Sequence, residues 1–290
     1  MKLDKNKLNK IENKEFEGER ILYNSKNLYL NNIKFNFGES PLKECKNIIL
    51  ENSTFTYKYP LWYSKNIEVN NVTFEELSRS GIWYTKNISI NDSLIKCPKL
   101  FRRCKNITLN NINFLDGNEM FWECIGININ NTKMTGDYTF KNSKNIKIKD
   151  FTLDGNYAFD GAKNIIIENA ILNSKDAFWN SKNVVVKNST IKGEYIGWNS
   201  KNLTFINCKI ESNQGFCYIK RLKIVNSSLI NTDLAFEYCS VKVDVNSSID
   251  SIKNPLKGII KAKDIKKIIL DNNYKKKGKL KIILKKEKDE

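Results

Sequence analysis

The chain has 290 residues and is strongly basic, with 49 Lys and Arg against 32 Asp and Glu, no His, and a formal net charge of +17. No apolar run is long enough to cross a membrane as a helix, and the first residues lack the apolar segment of a secretory signal. The charge suggests nucleic acid, but the lysines recur along the whole chain rather than in one patch. We therefore predict a cytoplasmic protein with no membrane partner and no specific nucleic-acid partner.

Residues 1–20 are polar and precede a repeat that dominates the chain, which predicts an N-terminal cap. Each copy of the repeat has a Lys-Asn pair and then alternating apolar and polar residues, as in "YSKNIEVNNVTF", "RCKNITLNNINF" and "NSKNLTFINCKI". The lysine of each pair is the anchor of its copy. The anchors are Lys26, Lys46, Lys65, Lys86, Lys105, Lys144, Lys163, Lys182 and Lys201, with diverged copies at Ile125, Lys220 and Cys239. Twelve copies at a period of 19 to 21 residues predict a solenoid.

Within a copy, apolar residues recur two, four and nine places after the anchor and four places before it. This pattern gives three short strand signals per copy and no helical one. We therefore predict an all-β protein, a single-stranded, pectin-lyase-like right-handed parallel β-helix over residues 21–250 with one coil per copy. The leucine-rich repeat is the nearest alternative, but its Asn follows the last Leu by three places and a helical segment comes next. Here the Asn follows by two places and β-type residues come next.

Two rows of asparagine accompany the strands. Asn or Asp stands six places after the anchor in eleven consecutive copies, for example at Asn111 and Asn131. We predict that these amides point inward and stack into a buried ladder where the chain bends. The Asn directly after each anchor is predicted to adopt a positive φ at the other bend, as its replacement by Gly126 indicates. Both rows are interpreted as structural.

All five tryptophans lie at one repeat position, three places before the anchor. The residue one place earlier belongs to an inward row of Leu, Ile and Phe, so strand alternation predicts that the tryptophan row points outward. We predict this row as a ligand-binding stripe, with indole faces about 5 Å apart on which sugar rings would stack. The predicted stripe contains Trp62, Trp83, Arg102, Trp122, Lys141, Asp160, Trp179 and Trp198. Three alternatives stay open: aromatic stacking that only stabilises the coils, a bulge that turns the row into core, and burial under the C-terminal tail.

The turn before the third strand carries acidic residues on neighbouring copies. Asp160, Asp176 and Glu194 would approach one another there, and glycoside hydrolysis uses a pair of carboxyl groups about 5–10 Å apart. The weak catalytic candidates are accordingly Arg102, Asp160, Asp176 and Glu194. The simpler alternative is that these acids are ordinary solvated turn residues.

Residues 251–290 lose the period and become rich in lysine, which predicts a C-terminal cap and tail and one domain overall. The seven cysteines are odd in number and form no C-x-x-C pair, so neither a disulfide framework nor a metal site is predicted. Cys45, Cys104 and Cys124 occupy a position that elsewhere holds Ser, Thr or Ala. No cofactor is expected.

The ordered series "YPLWYS", "SGIWYT", "FRRC", "GNYAFDGAKN" and "GEYIGWNSKN" resembles a bacterial family of uncharacterised proteins with a pectin-lyase-like right-handed β-helix. The resemblance covers about residues 11–260 and implies the fold without an established activity. The wider superfamily includes pectate lyases and polygalacturonases, and its hydrolases resemble one another in paired Asp residues and a Gly-His-Gly motif. This chain has no His and no "DD" pair. Arg102 and Arg103 match the arginine base of pectate lyases by residue type alone.

Two functions from different classes remain. The first is a non-catalytic binding or scaffold module that presents the stripe to a carbohydrate or protein partner. The alternative is a carbohydrate-active enzyme, a polysaccharide lyase or glycoside hydrolase, acting on an acidic glycan at the same face. The missing pectinase motifs favour the first.

Overall fold

The computed structural model describes residues 3–285 in two compact units, Met1–Thr152 and Leu153–Glu290. Each unit is a solenoid of parallel strands and is described by itself. Within the described residues the only helical element is a 3₁₀ turn, Lys5–Lys7, and no helix is long and apolar enough to span a bilayer. Residues 286–290 of the predicted tail lie outside the described part.

The strands of the first unit are β1 (Asn9–Phe16), β2 (Lys26–Phe35), β3 (Lys46–Phe55), β4 (Lys65–Phe74), β5 (Ile82–Trp83), β6 (Lys86–Ile95), β7 (Phe101–Arg102), β8 (Lys105–Phe114) and β9 (Ile125–Thr135), followed by β10 (Lys144–Asp154), which contains the boundary. The strands of the second unit are β11 (Lys163–Asn173), β12 (Lys182–Lys187), β13 (Thr190–Lys192), β14 (Lys201–Ile206), β15 (Lys209–Glu211), β16 (Lys220–Ile230), β17 (Ser240–Val245), β18 (Ile249–Lys253), β19 (Lys257–Ala262), β20 (Ile265–Ile269) and β21 (Leu280–Leu284).

The parallel pairing keeps equal repeat positions in register. In the first unit Lys46 of β3 is paired with Lys65 of β4, and Lys65 is paired with Lys86 of β6. In the second unit Lys182 of β12 is paired with Lys201 of β14. Residues at one repeat position therefore form a column in which neighbours are one strand spacing, about 4.8 Å, apart. The predicted parallel β-solenoid is confirmed.

The predicted number of twelve coils is too low, because residues 3–285 make about 15 turns in all. β1, within the predicted N-terminal cap, pairs in parallel with β2. β19 and β21, within the predicted C-terminal cap, pair in parallel as well. These segments have no Lys-Asn anchor, and backbone hydrogen bonds between strands need no side-chain pattern. The sequence period therefore does not predict these additional coils.

The third strand signal of each copy corresponds mostly to turns. Among the described strands, only β5 and β7 form at this third position of the coil, and each has two residues. In the coil that precedes β9 the same segment has alternating positive φ values, 53° at Glu119, 60° at Phe121 and 57° at Glu123. The inward and outward alternation is nevertheless kept, since Phe121 is fully buried and Trp122 is half-buried.

Stacked phenylalanines fill the interior of the first unit. Phe35 and Phe55 lie 4.8 Å apart between ring centroids, and Phe55 and Phe74 lie 5.2 Å apart. A second stack brings Phe101 within 4.9 Å of Phe121. Since these rings come from one repeat position on consecutive coils, each added coil extends the same apolar column.

The row six places after the anchor forms a ladder but is not buried. Asn71 donates to Asn52 at 2.8 Å, and Asn131 donates to Asn111 at 3.2 Å. These side chains are exposed or half-exposed, with φ values such as 44° at Asn131. A residue with positive φ interrupts the strand alternation, so the amides stand on the outside of the bend. The prediction of a ladder is confirmed and the prediction of burial is wrong.

The Asn that follows each anchor behaves as predicted and also forms a ladder. Asn47 and Asn66 have φ values of 57° and 59°, and Gly126 has 75°. Asn66 donates to Asn47 at 2.9 Å. Asparagine is therefore preferred twice in each coil, because it tolerates the left-handed conformation and its amide both donates and accepts.

Replacing Asn131 tests separately how much the left-handed backbone conformation and the amide hydrogen bond contribute to stability. We expect Asn131→Leu to destabilise the first unit by about 1–2 kcal/mol, because a branched side chain is strained at positive φ. Asn131→Gly removes the same exposed hydrogen bond without strain and should cost less than about 1 kcal/mol. Urea denaturation of both variants makes the comparison. Equal losses would show that the amide ladder, rather than the backbone conformation, selects asparagine.

The position before each anchor is a buried slot for small hydrogen-bond donors. The hydroxyl of Ser64 donates to the carbonyl oxygen of Leu42 at 2.8 Å, and the thiol of Cys104 donates to that of Ile82 at 2.7 Å. All seven cysteines are free and buried. Burial raises the pKa of the Cys45 thiol to about 11, so it stays protonated at neutral pH. The cysteines are therefore packing residues.

Candidate functional site

The predicted stripe points outward in the first unit. Trp62, Trp83 and Trp122 are each half-buried. The residues one place earlier are fully buried, namely Leu61, Ile82, Phe101 and Phe121. The tryptophans therefore belong to the surface and not to the core.

The indole faces, however, are covered by the stack itself. Trp62 and Trp83 are stacked with centroids 5.4 Å apart and planes 9° from parallel. The guanidinium carbon of Arg102 lies 4.6 Å from the ring centroids of both Trp83 and Trp122. Lys141 lies 5.3 Å from the Trp122 centroid. These contacts do not favour the predicted stacking of sugars on the indole faces, because neighbouring side chains already lie against them.

The indole nitrogens are fixed as well. Trp83 donates to the carbonyl oxygen of Lys99 at 2.9 Å, Trp122 donates to that of Tyr138 at 2.6 Å, and Trp62 donates to that of Ser80. Each bond reaches the next coil along the chain. The tryptophans thus join neighbouring coils, which supports the alternative that the row stabilises the solenoid.

The guanidinium group of Arg102 contacts two indoles and a carboxylate. Beyond the two indoles, its Nη2 lies 3.4 Å from a carboxylate oxygen of Glu119. Its Nε is buried and has no hydrogen-bond partner in the described chain. The guanidinium is thus engaged by two indoles and by Glu119, so the arrangement does not favour Arg102 as a catalytic base.

A second column runs beside the first. Tyr63 and Tyr84 are stacked with centroids 4.7 Å apart and planes 4° from parallel. Arg103 continues this column, with its guanidinium carbon 5.9 Å from the Tyr84 centroid and its Nε 2.8 Å from Glu123. The surface next to the tryptophan row is therefore also formed by ring edges, hydroxyl groups and a paired cation.

The anchor lysines of the first unit form a third column, which we call the lysine column. It consists of Lys26, Lys46, Lys65, Lys86 and Lys105, which are in register on consecutive coils and exposed. Among the described residues, none of them has a carboxylate oxygen within 4.0 Å of its ammonium group.

Lysines elsewhere in the first unit do find acids on neighbouring coils, as Lys96 does with Glu75 at 3.0 Å and Lys58 with Glu39 at 3.3 Å. The expectation that lysines recur without forming a patch is therefore wrong for the anchors. Because each copy makes one coil, equal positions fall on one side of the unit. The regular spacing of the anchors in the sequence is the signal from which this column could be predicted.

In the second unit the outward row changes position. Trp179 and Trp198 have centroids 6.1 Å apart, and the row continues from Trp198 to Tyr218 at 5.1 Å and from there to Tyr238 at 5.3 Å. Cys217, at the repeat position of Trp198, is fully buried. Trp179 donates its indole N–H to the carbonyl oxygen of Tyr195 at 2.9 Å.

The three acidic candidates of the second unit have different environments. Asp160 accepts a hydrogen bond from Asn180 at 3.0 Å, and Glu194 pairs with Lys175 at 3.1 Å. Asp176 is 3% exposed, and one of its carboxylate oxygens has no hydrogen-bond partner in the described chain. Burial raises the pKa of Asp176, Lys175 lowers it, and Glu194 raises it further. Asp176 therefore lies within the electrostatic influence of Lys175 and Glu194, and Asp160 accepts its hydrogen bond from Asn180.

Asp176→Asn should stabilise the second unit at neutral pH. A carboxyl whose pKa is raised on folding binds more protons in the folded state, so stability increases as the pH falls from the raised pKa towards the usual value near 3.9. Asn imitates the protonated form and also tolerates the positive φ of 58° at this position. Melting curves between about pH 4 and pH 7 should show a higher Tm for the variant at pH 7 and no difference at pH 4. A lower Tm for the variant at pH 7 would contradict the raised pKa.

In residues 3–285 no group of three or more Cys, Asp or Glu side chains is arranged to hold a metal ion. Arg102 and Lys141 belong to the first unit, and Asp160, Asp176 and Glu194 belong to the second. Within each unit the side chains pair locally with neighbours on adjacent coils, as Arg102 does with Glu119.

The fold defines the chain as a parallel β-solenoid protein with ladders of side chains on its surface. The chain belongs to the family described as "Protein of unknown function (DUF3737)", whose model matches residues 9–283. Its predicted membership in an uncharacterised β-helix family is confirmed. No curated protein matches the sequence.

Two solved structures are similar to this chain. The surface adhesin PfbA of Streptococcus pneumoniae is 12% identical with a TM-score of 0.39, over 79% of this chain and 72% of that chain. The A-module of the mannuronan C-5 epimerase AlgE4 of Azotobacter vinelandii is 12% identical with a TM-score of 0.37, over 81% of this chain and 88% of that chain. At these values neither similarity assigns a ligand or an activity to the chain.

Proposed function

We propose that this protein is a non-catalytic binding module that holds an acidic polysaccharide along the lysine column of the first unit. The observation that carries the proposal is the column itself, five exposed ammonium groups in register that have no acidic partner in the described part of the chain. Like charges at a spacing of about 4.8 Å repel one another. A bound polyanion would remove that repulsion.

The neighbouring columns favour the same kind of ligand. Aromatic rings are electron-rich on their faces and electropositive at their edges. Since the faces of Trp83 and Tyr84 are covered by stacking, this surface offers edges, hydroxyl groups and the guanidinium groups of Arg102 and Arg103. Carboxylates and hydroxyl oxygens are the complementary ligand groups.

The spacing favours a polymer with one acid per repeating unit. Successive lysines are separated by one strand spacing, about 4.8 Å, which is comparable to the length of one sugar ring in an extended chain. A polyuronate lying along the column would place one carboxylate near each lysine. A neutral polysaccharide would leave the five charges uncompensated.

A polysaccharide-cleaving activity is the second candidate, and Asp176 is the observation that favours it. A buried carboxyl with a raised pKa is a feature of general acids. Its neighbour Glu194 is paired with Lys175, so the carboxylate that influences Asp176 is engaged by a cation. Binding without cleavage is therefore the proposal that the geometry supports better.

A glycan array with neutral and acidic polysaccharides tests the proposal. We expect the protein to bind polygalacturonate and other polyuronates and to leave neutral glucans unbound at about 0.15 M salt. Size analysis of the bound polymer after incubation distinguishes binding from cleavage. Retention of neutral glucans alone would contradict the proposal, and shortening of the acidic polymer would support the enzyme.

A further inference from the structure

A basic groove of about 730 Å³ lies in the second unit, and none of its lining residues belongs to the lysine column. Its floor is apolar, with Ile219 and Leu256, and Tyr218 and Tyr238 line it from the outward row. We define the basic groove by its five cationic residues. These are Lys201, Lys220, Arg221, Lys257 and Lys277.

Within residues 3–285 these charges have no acidic partner. The ion pairs of the second unit involve other lysines, for example Lys192, Lys253 and Lys285. Among residues 3–285, none of the five cationic groups of the groove has a carboxylate oxygen within 4.0 Å. The groove thus concentrates positive charge beside an apolar floor, where a bound anion would be shielded from water.

Arg221 departs from the repeat. It stands directly after its anchor, where nine copies have Asn and one has Gly. Its φ is 67°, in the left-handed region that Asn and Gly adopt most easily. This copy therefore carries a guanidinium where nine other copies carry an amide.

The ladder orients the Arg221 side chain. Its Nε donates to Asn202 at 2.5 Å, as an Asn amide would, and its backbone N–H donates to the hydroxyl of Ser240 at 2.8 Å. No hydrogen bond from its two Nη groups is present among the described residues. The free end of the guanidinium is therefore fixed in position, with the planar fork that pairs with phosphate or carboxylate.

The irregular C-terminal segment completes the groove. The backbone N–H of Lys277 donates to the carbonyl oxygen of Leu256 at 3.2 Å, which ties the loop between β20 and β21 to the start of β19. Gly278 lies so close to Lys257 that an added Cβ would be 3.2 Å from its side chain. Lys257 and Lys277 are thereby brought to the same groove as Arg221.

We propose that the basic groove binds a small organic diphosphate, with its phosphates on Arg221 and the lysines and its organic part on the apolar floor. A phosphate group carries up to two charges and several acceptor oxygens, so two phosphates match five cations better than a carboxylate does. The volume is within the range of small-molecule sites. This ligand and this unit differ from those of the proposed function, and either proposal stands without the other.

Titration calorimetry of the full chain with ADP, pyrophosphate and adenosine at about 0.15 M salt tests the groove. We expect saturable binding of ADP, with pyrophosphate about tenfold weaker and adenosine about a hundredfold weaker. Binding of pyrophosphate as tight as that of ADP would overturn the organic part of the proposal. Absence of saturable ADP binding would overturn all of it.

Arg221→Asn is a sharp variant because it restores the residue that the repeat uses at this position. We expect it to fold and to weaken ADP binding by about tenfold or more. Lys163→Gln is the matched control, since it removes one charge from the same unit at an exposed anchor outside the groove. Its affinity should stay within about twofold of wild type. An equal loss in both variants would mean that only the net charge attracts the ligand, and the groove would be rejected.

Discussion

Phe121→Ala is expected to destabilise the first unit by about 3–5 kcal/mol. Phe121 is fully buried, and its ring lies 4.9 Å from those of both Phe101 and Phe140 between centroids. Removing it leaves a cavity within a stack that rigid coils on either side cannot close. Urea denaturation followed by circular dichroism measures the loss.

Trp122→Ala, at the next residue, should cost only about 1–2 kcal/mol. The indole is half-buried and contributes its stacking with Arg102 and its hydrogen bond to the carbonyl of Tyr138. Both variants remove a large aromatic group, and the two residues are adjacent. The difference between their stability losses therefore measures the effect of pointing inward rather than outward. A loss at Trp122 as large as that at Phe121 would show that the tryptophan row is core.

Neutralising three consecutive lysines of the lysine column should have the largest effect on binding. In the triple variant Lys65→Gln, Lys86→Gln and Lys105→Gln, we expect the affinity for polygalacturonate to fall about a hundredfold or more, because each ion pair contributes at least about 1 kcal/mol in such a cluster. Stability should rise slightly, since the repulsion between neighbours is removed. Titration calorimetry gives the affinity, and a thermal melt gives the stability.

The control carries the same change in net charge at lysines of the first unit outside the column. Lys10, Lys14 and Lys133 are exposed, and the Gln variant at all three should lose less than about fivefold in affinity. If this control weakened binding as much as the column variant, the polymer would be attracted by the net charge of +17 and not by the column.

The fold could be predicted because one period repeats with little change. The spacing from Lys65 to Lys86 fixes their pairing in register, and the alternation after each anchor fixes which side chains fill the interior. The turns at both ends were missed because β1 and β21 pair through their backbones without the anchor motif. The burial of the Asn131 row was misjudged because the positive φ at that position interrupts the alternation.

The candidate site could be predicted only in part. Alternation placed Trp122 outward, but whether an indole presents its face or its edge depends on side-chain torsions and on the neighbouring coil. No sequence pattern predicts that the guanidinium group of Arg102 lies between two indoles, 4.6 Å from each ring centroid. The lysine column could be predicted from the repeat period, because one coil per copy places equal repeat positions above one another.

The basic groove is only partly periodic, because Lys201 and Lys220 are anchors of the repeat and its other cationic residues are not. Lys257 and Lys277 come from a segment that has lost the repeat, and only the chain path brings them to Arg221. The replacement of Asn by Arg at residue 221 is visible in the sequence. Its meaning depends on the φ of 67° and on the hydrogen bond to Asn202, which the structure supplies.

The salt dependence of polygalacturonate binding tests the central claim most directly. For wild type, the logarithm of the binding constant should fall linearly with the logarithm of the salt concentration, because each lysine contact releases about 0.7–0.9 of a counterion. The triple variant of the lysine column should show a slope shallower by about 2, whereas the control at Lys10, Lys14 and Lys133 should keep the wild-type slope. Parallel lines for all three proteins, or binding that does not respond to salt, would contradict a polyanion held by the lysine column.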